Sequence, residues 1–372
     1  MKRLLSETKR LSRLGFGLAL LAFTANADQE SVIYTMDNAA AANHVLAFQL
    51  GKKGELTSAG SVATGGLGVG AGLSSQGSVL LSHDGKWLFV CNAGSHEISV
   101  FTTAHRGPRL VDRVNSGGRM PVSLTLHGNV LYVLNAGGAV GDKDNITAFL
   151  FAGGELVALP GSTRALSGDN TGPAQVSFTL DGNALIVTER QTSLIDTFTL
   201  DNDGLGTSHK TFQSAGATPF GFAVGRNDRV FVSEATGVPN GSSASSYMIS
   251  ESGDLDLISG PVPTKQNAAC WLLLSHDGRF AFTANAASGS LSGFRVGPDG
   301  TLHLLESNEV SAVTGAGSHP VDMAESHDGR FLFALANGNG TLAAFRVTGH
   351  GSLEPVGLLG GIPTSAAGLA AR

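Results

Sequence analysis

The tetrapeptide Ser-His-Asp-Gly occurs three times, at Ser82–Gly85, Ser275–Gly278 and Ser326–Gly329. Each copy sits between apolar runs. Val79-Leu80-Leu81 precedes the first and Trp87-Leu88-Phe89-Val90 follows it; Leu272-Leu273-Leu274 and Phe280-Ala281-Phe282 flank the second. Asp-Gly between two strand-like runs is a hairpin signal, because glycine supplies the positive φ that such turns need. The register reaches beyond the turn. A polar residue falls eight positions after the turn Asp and an aromatic nine positions after that, as in Asp84, Asn92 and Phe101, Asp181, Glu189 and Phe198, and Asp277, Asn285 and Phe294. His127 and Asn135 keep the first interval, Asn227 and Glu234 are one residue closer, and Asp328 and Phe345 keep the outer spacing with Ala336 in the polar slot. A sequence that repeats in this way folds as copies of one small unit.

A second hairpin signal, Gly followed closely by Leu, closes each unit, as at Gly54 with Leu56, Gly253 with Leu255 and Gly351 with Leu353. Each unit therefore reads as four short strands. Turns near 84, 127, 181, 227, 277 and 328 lie 43–54 residues apart, within reach of a propeller blade. A seventh unit opens with Val32–Met36, Val45–Leu50 and Leu56–Val62 but lacks an innermost strand, and the tail Gly361–Ala371 has no blade of its own. The prediction is an all-β, seven-bladed β-propeller with four-stranded antiparallel blades, spanning 28–372 as one domain. The C-terminal strand joins the N-terminal blade and closes the ring, which leaves no open edge. The 51 glycines and the absence of a long amphipathic pattern after residue 27 agree with turn-rich β structure.

Residues 1–27 differ. Lys2, Arg3, Lys9, Arg10 and Arg13 precede an apolar run from Leu14 to Phe23, then Ala25-Asn26-Ala27. This is the layout of a secretory signal peptide, too short in its apolar part to span a bilayer comfortably. An exported, periplasmic or extracellular protein is expected, without membrane insertion once the signal is removed. Its loss takes away five basic residues and one acidic one, leaving 19 Lys+Arg against 29 Asp+Glu. That acidic balance disfavours nucleic acid as a partner. Cys91 and Cys270 fall in blades two and six and are expected to stay unbonded as small buried apolar residues.

In a propeller the A–B and C–D turns lie on one face, and the B–C turns and D-to-A connections on the other. The three histidines His83, His276 and His327 belong to the first face and are read as turn residues. The polar residues at the ends of the B strands point towards the second: Asp37 or Asn38, Asn92, Asn135, Glu189, Glu234, Asn285 and Asn337. The D-to-A connections add Arg119, Gln175, Gln266, Asn267 and His319. Together they predict a polar axial mouth, the default place for a ligand. An Asn there also caps its own turn. Two carboxylates near one axis need a cation or solvent, which singles out Glu189 and Glu234, with Arg190 beside them. The glycine-rich stretch Gly65–Gly70 has no helix after it, so it reads as a mobile loop rather than a phosphate cradle. No metal site and no cofactor are expected.

The motifs Ser82-His-Asp-Gly-Lys-Trp-Leu-Phe-Val90, Leu131-Tyr-Val-Leu-Asn135, Thr218-Pro-Phe-Gly-Phe222 and Pro320-Val-Asp-Met323 resemble the lactonase-type seven-bladed propeller family. That family includes 6-phosphogluconolactonases and carboxymuconate-lactonizing enzymes. The resemblance covers about residues 31–371. It implies a lactone hydrolase with Glu234, in Ser233-Glu234-Ala235, and Glu189 as catalytic carboxylates. Arg190, His319, Arg119, Gln175, Asn92, Asn135 and Asn285 would contact a small lactone or carbohydrate. The chain departs from the family where Ala174-Gln175 replaces a His, Leu194 an Arg and Phe220-Gly221 an Arg-His pair. Those departures leave a non-catalytic, extracytoplasmic binding propeller as the alternative. A monomer is expected.

Overall fold

A computed structural model describes residues 31–52, 54–103, 107–137, 143–305 and 310–372. The proposed signal segment, 1–27, lies outside the described residues. The chain forms seven antiparallel sheets, each with at least four strands. Taking strands A to D from the axis outwards, blade 2 consists of Val79–Leu81, Trp87–Asn92, Glu97–Thr102 and Arg109–Asn115. Blades 3 to 7 begin with inner strands Pro121–His127, Pro173–Phe178, Pro219–Gly225, Ala269–Leu274 and Pro320–Glu325. Each inner strand packs against the next around the whole ring. Blades 3 and 6 interrupt their outer strand, so that Arg164–Asp169 and Ala312–Val313 add short extra pairings to strand C.

The turn motif is held together by its own side chains. Ser82 Oγ donates to Asp84 Oδ1 at 2.7 Å and accepts the Trp87 N–H at 3.0 Å, while Asp84 Oδ1 accepts the Lys86 N–H at 3.1 Å. Gly85 takes φ 65°, a left-handed value that costs a β-carbon-bearing residue strain. Ser275 with Asp277 and Ser326 with Asp328 repeat the pattern, and Thr179 with Asp181 makes it with threonine. Serine, aspartate and glycine thus do the turn's mechanical work. None of the three imidazoles hydrogen-bonds to any described residue.

Ring closure follows the expected route. Ala367–Ala371 is the inner strand of blade 1, with Ile33 opposite Ala371 and Met36 opposite Ala367. Val32 and Arg372 exchange main-chain hydrogen bonds at 3.0 Å. A buried carboxylate fastens the joint: Asp322, on the inner strand of blade 7, accepts the N–H groups of Met323 (2.8 Å), Leu369 (3.1 Å) and Gly77. Burial pushes its pKa well up despite these donors.

The core lies between blades. Phe89, Phe101 and Phe149 are buried in one such layer, and Phe280, Phe282 and Phe345 in another. Outer strands alternate half-buried and exposed residues, as Arg109–Asn115 does, because only one of their faces has a neighbour. Cys91 and Cys270 are both free and buried.

Candidate functional site

The residues that end strands B share one environment. Glu234 faces Ser243 of strand C and Pro219 of strand A in the sheet register. Its Oε1 accepts the Gly216 N–H at 2.9 Å and the Ser245 hydroxyl at 2.5 Å, and its Oε2 accepts the Ser243 hydroxyl. Gly216 belongs to the connection arriving from blade 4. Glu189 repeats the arrangement one blade earlier: Oε1 accepts the Ser167 N–H (3.0 Å), and Oε2 accepts the hydroxyls of Ser167 (2.5 Å) and Thr192 (2.6 Å). Asn92 donates to Ser99 Oγ (2.8 Å) and accepts from Thr64 (2.6 Å) and Asn43 (3.0 Å). Asn135 donates to the Ser116 carbonyl and Asn145, and Asn285 to Ser290 and Ser292. All five side chains are fully buried. Asn92, Asn135 and Glu234 link their own strand C to the incoming connection or the blade beside it, Glu189 reaches Ser167 of the preceding blade, and Asn285 bonds within its own strand C.

The expectation that Glu189 and Glu234 face a common axial cavity is therefore not met. Each carboxylate lies within a joint between blades, and neither lines any of the cavities described here. Burial raises both pKa values. Glu189 is pushed up to about 7, the Asp196 carboxyl adding to the effect of burial; Asp196 Oδ2 is buried without a hydrogen-bond partner among the described residues. In blades 1 and 7 the register position belongs to Met36 and Ala336 rather than to Asp37, Asn38 or Asn337. Asp37 accepts the Ala39 and His44 N–H groups, closing its own turn.

Gln175 is also structural. It lies on the inner strand of blade 4, and its amide pairs with both main-chain groups of Phe222 in blade 5, at 2.7 and 2.9 Å. Gln76 makes the same two-bond pairing with Leu272 of blade 6, at 2.8 and 3.1 Å. Gln76 comes from the segment that the sequence marks as a mobile loop. The structure instead clamps that loop and carries it across the axis. Gly68 and Gly70 donate to the carbonyls of Ala39 and Asn38. Ser75 Oγ then bonds the Val122 carbonyl of blade 3 (2.7 Å), the Gln76 N–H bonds the Ala174 carbonyl of blade 4 (3.0 Å), and Trp271 Nε1 bonds the Ser75 carbonyl (2.9 Å). Gly221 is where this crossing needs room: a Cβ there would overlap Gln76 Oε1 and press on Trp271 Cα. Residues 72–78 thus plug the channel below the axial mouth.

What remains at that mouth is a cation without an acid. Arg190, in the turn after strand B of blade 4, donates from Nε to the Gly172 carbonyl at 3.0 Å and lies 5.2 Å over the Phe220 ring. Its Nη1 and Nη2 have no hydrogen-bond partner among the described residues. Burial lowers its pKa, and Cys270 is the neighbour that acts on it electrostatically. His319 is exposed and precedes the inner strand of blade 7 at φ 47°. Arg119 is exposed at the corresponding entry to blade 3. Blades 4 and 7 stand on opposite sides of a seven-membered ring, so Arg190 and His319 flank the mouth rather than touch. Among the described residues no group of three His, Cys, Asp or Glu converges to hold a metal ion. No helix of the described residues is long and apolar enough to cross a membrane.

Two residues escaped sequence reasoning, Gln76 and Glu325. Glu325 was visible as an exception. It occupies a position where blades 2, 3, 4 and 6 carry Leu81, Leu126, Phe178 and Leu274. Gln76 carried no signal, because nothing local says that a loop will cross the axis.

Comparison with known proteins places this geometry. Residues 21–152 and 222–356 match the family model described as lactonase, 7-bladed beta-propeller. A comparison with curated proteins gives no match. A periplasmic gluconolactonase from Pseudomonas aeruginosa superposes with TM-score 0.72 at 16% identity, over 92% of this chain and 98% of that one. A protein provisionally assigned as a 6-phosphogluconolactonase, from Bacteroides fragilis, gives TM-score 0.68 at 18% identity, over 90% and 99%. A functionally unknown protein from Desulfotomaculum acetoxidans gives 0.72 at 16%, over 92% and 99%. At such identities the likeness is one of fold.

Proposed function

The chain belongs to the lactonase seven-bladed β-propeller family, and from that premise we propose that it hydrolyses a small cyclic ester, sugar-derived or otherwise, outside the cytoplasm. The observation that carries the reading is Arg190, a half-buried guanidinium with two nitrogens facing no protein acceptor. Such a group, partly shielded from water, stabilises charge developing on a carbonyl oxygen far better than an exposed one. Water adds to the lactone carbonyl carbon and passes a proton to a base, for which His319 is available at the same mouth. The proton returns to the ring oxygen as the ring C–O bond breaks, and a hydroxy acid leaves. Export is supported by the layout of residues 1–27. Glu189 and Glu234 hold the blades in register around the site and have no part in the chemical step.

A second reading, a non-catalytic binding propeller, is favoured by the plug at residues 72–78, which crosses the axis below the mouth. Turnover of a panel of sugar and other small lactones separates the two. Hydrolysis that drops about 100-fold in Arg190→Met, with an unchanged melting temperature, supports the first. Lactones that raise the melting temperature without being hydrolysed support the second. Hydrolysis equal in wild type and Arg190→Met removes Arg190 from the site.

A further inference from the structure

The opposite face of the propeller is hollow. Below the plug, a cavity of about 320 Å³ is walled by inner strands of blades 1, 2, 3, 4 and 7, with Gln76 as its floor. It adjoins a second of about 470 Å³ through Leu81 and Ala371, and a third of about 410 Å³ through Gln76. The three form one funnel that opens among the A–B turns.

The funnel's wall is mixed: Leu81, Met323, Leu369 and Ala371 give it apolar surface, and Gln76, Thr125, Gln175 and Ser177 add polar surface. One half-buried acid stands among them. Glu325 accepts the His276 N–H, and its Oε1 is buried without a hydrogen-bond partner. The other charges nearby are already compensated. Lys86 pairs with Asp84 at 3.0 Å, Arg279 with Asp277 at 2.6 Å and Arg330 with Asp328 at 2.5 Å. Asp322 has its three main-chain donors. The Arg372 guanidinium is directed to the Gly85 carbonyl and to Thr103. Glu325 therefore lacks a counter-cation, and burial together with the carboxylates of Asp277 and Asp328 raises its pKa to about 7. Three imidazoles stand on the rim, His327 lying 6.5 Å from both His83 and His276 between ring centroids.

We propose that this funnel binds a small organic ammonium ion, with its charged head at Glu325 and its apolar body against side chains such as Leu81, Met323 and Leu369. A cation there supplies the one charge the wall lacks and keeps the carboxylate ionised. The imidazoles offer ring faces to the same head. The volume suits an organic body rather than a bare metal ion, whose donors would have to converge, and none do. The site is on the face away from Arg190, so its fate and that of the lactone reading are decided separately.

Calorimetry with benzylammonium and with benzyl alcohol, its uncharged counterpart, tests the idea on the whole chain. Benzylammonium is expected to bind one per chain, at least about tenfold tighter than the alcohol. Glu325→Gln should abolish that preference while keeping a melting temperature equal to or above wild type. Near pH 7 Glu325 gives up its proton as the cation binds, so the heat should vary with the ionisation enthalpy of the buffer. That variation should vanish in Glu325→Gln and persist when His83, His276 and His327 are replaced singly by Gln. Equal binding of the amine to wild type and Glu325→Gln, or no binding up to the amine's solubility, overturns the proposal. So does Zn²⁺ or Ni²⁺ binding that needs the three histidines and displaces the amine without involving Glu325.

Discussion

Removing the carboxylate of Glu234 separates two roles that one residue could play. The side chain is fully buried and accepts three hydrogen bonds, from Gly216 N–H, Ser243 and Ser245. In Glu234→Ala the two serine hydroxyls can swing to new acceptors, but the Gly216 N–H is fixed. Leaving it unpaired costs about 1–3 kcal/mol. Loss of the buried γ-methylene adds about 0.8 kcal/mol, and the cavity left behind a similar amount. Relief of the buried charge offsets part of this, giving a net loss of about 3 kcal/mol. A propeller of this length has an unfolding entropy near 0.7 kcal/mol per degree, so the melting temperature should fall by about 4 °C. Glu234→Gln keeps an oxygen for Gly216 and one serine, and its NH₂ needs only the other hydroxyl to reverse. That change should cost about 1 kcal/mol or less. Differential scanning calorimetry on both variants, with lactone turnover on the folded Gln form, is the assay. The reasoning fails if Glu234→Ala melts with wild type, or if Glu234→Gln keeps its stability and loses turnover, since the carboxylate would then be acting on substrate.

Other consequences are as direct. Glu325 has a folded pKa near 7 against an ordinary 4.5, so the folded state holds its proton where the unfolded chain releases it. Stability is full below about pH 4.5 and falls as pH rises towards 7, by at most about 3 kcal/mol; Glu325→Gln should flatten that limb in melts taken across the range. A Gly221→Ala change drives a methyl into Gln76 Oε1 and should cost about 2 kcal/mol. The double variant with Gln76→Ala should be less destabilised than the sum of the singles, and strict additivity in denaturant melts would contradict the crossing plug. A chain ending at Gly361 loses the inner strand of blade 1 and a donor to Asp322. It should aggregate or melt much earlier than wild type in scattering and calorimetry, and a monomer of unchanged melting temperature would refute closure by that strand.

Much of the architecture was legible because its signals are local. A Ser-x-Asp-Gly turn is built from bonds within six residues, and strand alternation needs only nearest neighbours. The count of blades and the route of closure followed from the missing strand before Val32 and the unclaimed tail. The candidate site was legible as a set of positions but not as a set of directions. Asn92, Asn135, Glu189, Glu234 and Asn285 stand at equivalent places, as their spacing indicated, yet all five are buried in hydrogen bonds within the sheets and their connections. The pleat decides on which face of the sheet a B-strand terminus projects, and in a propeller both faces of a blade meet other blades; only inner strands meet the axis.

By itself, then, the order of residues determined the repeating turn, the strand rhythm and the self-closing ring, since each depends on chain neighbours or on simple counting. Only the tertiary structure decided that Gln76 fills the channel, that Gly221 leaves it room and that Glu325 stands in the funnel wall without a counter-cation. Those outcomes depend on distances between residues from five or more blades, and no local preference encodes where such distant groups meet.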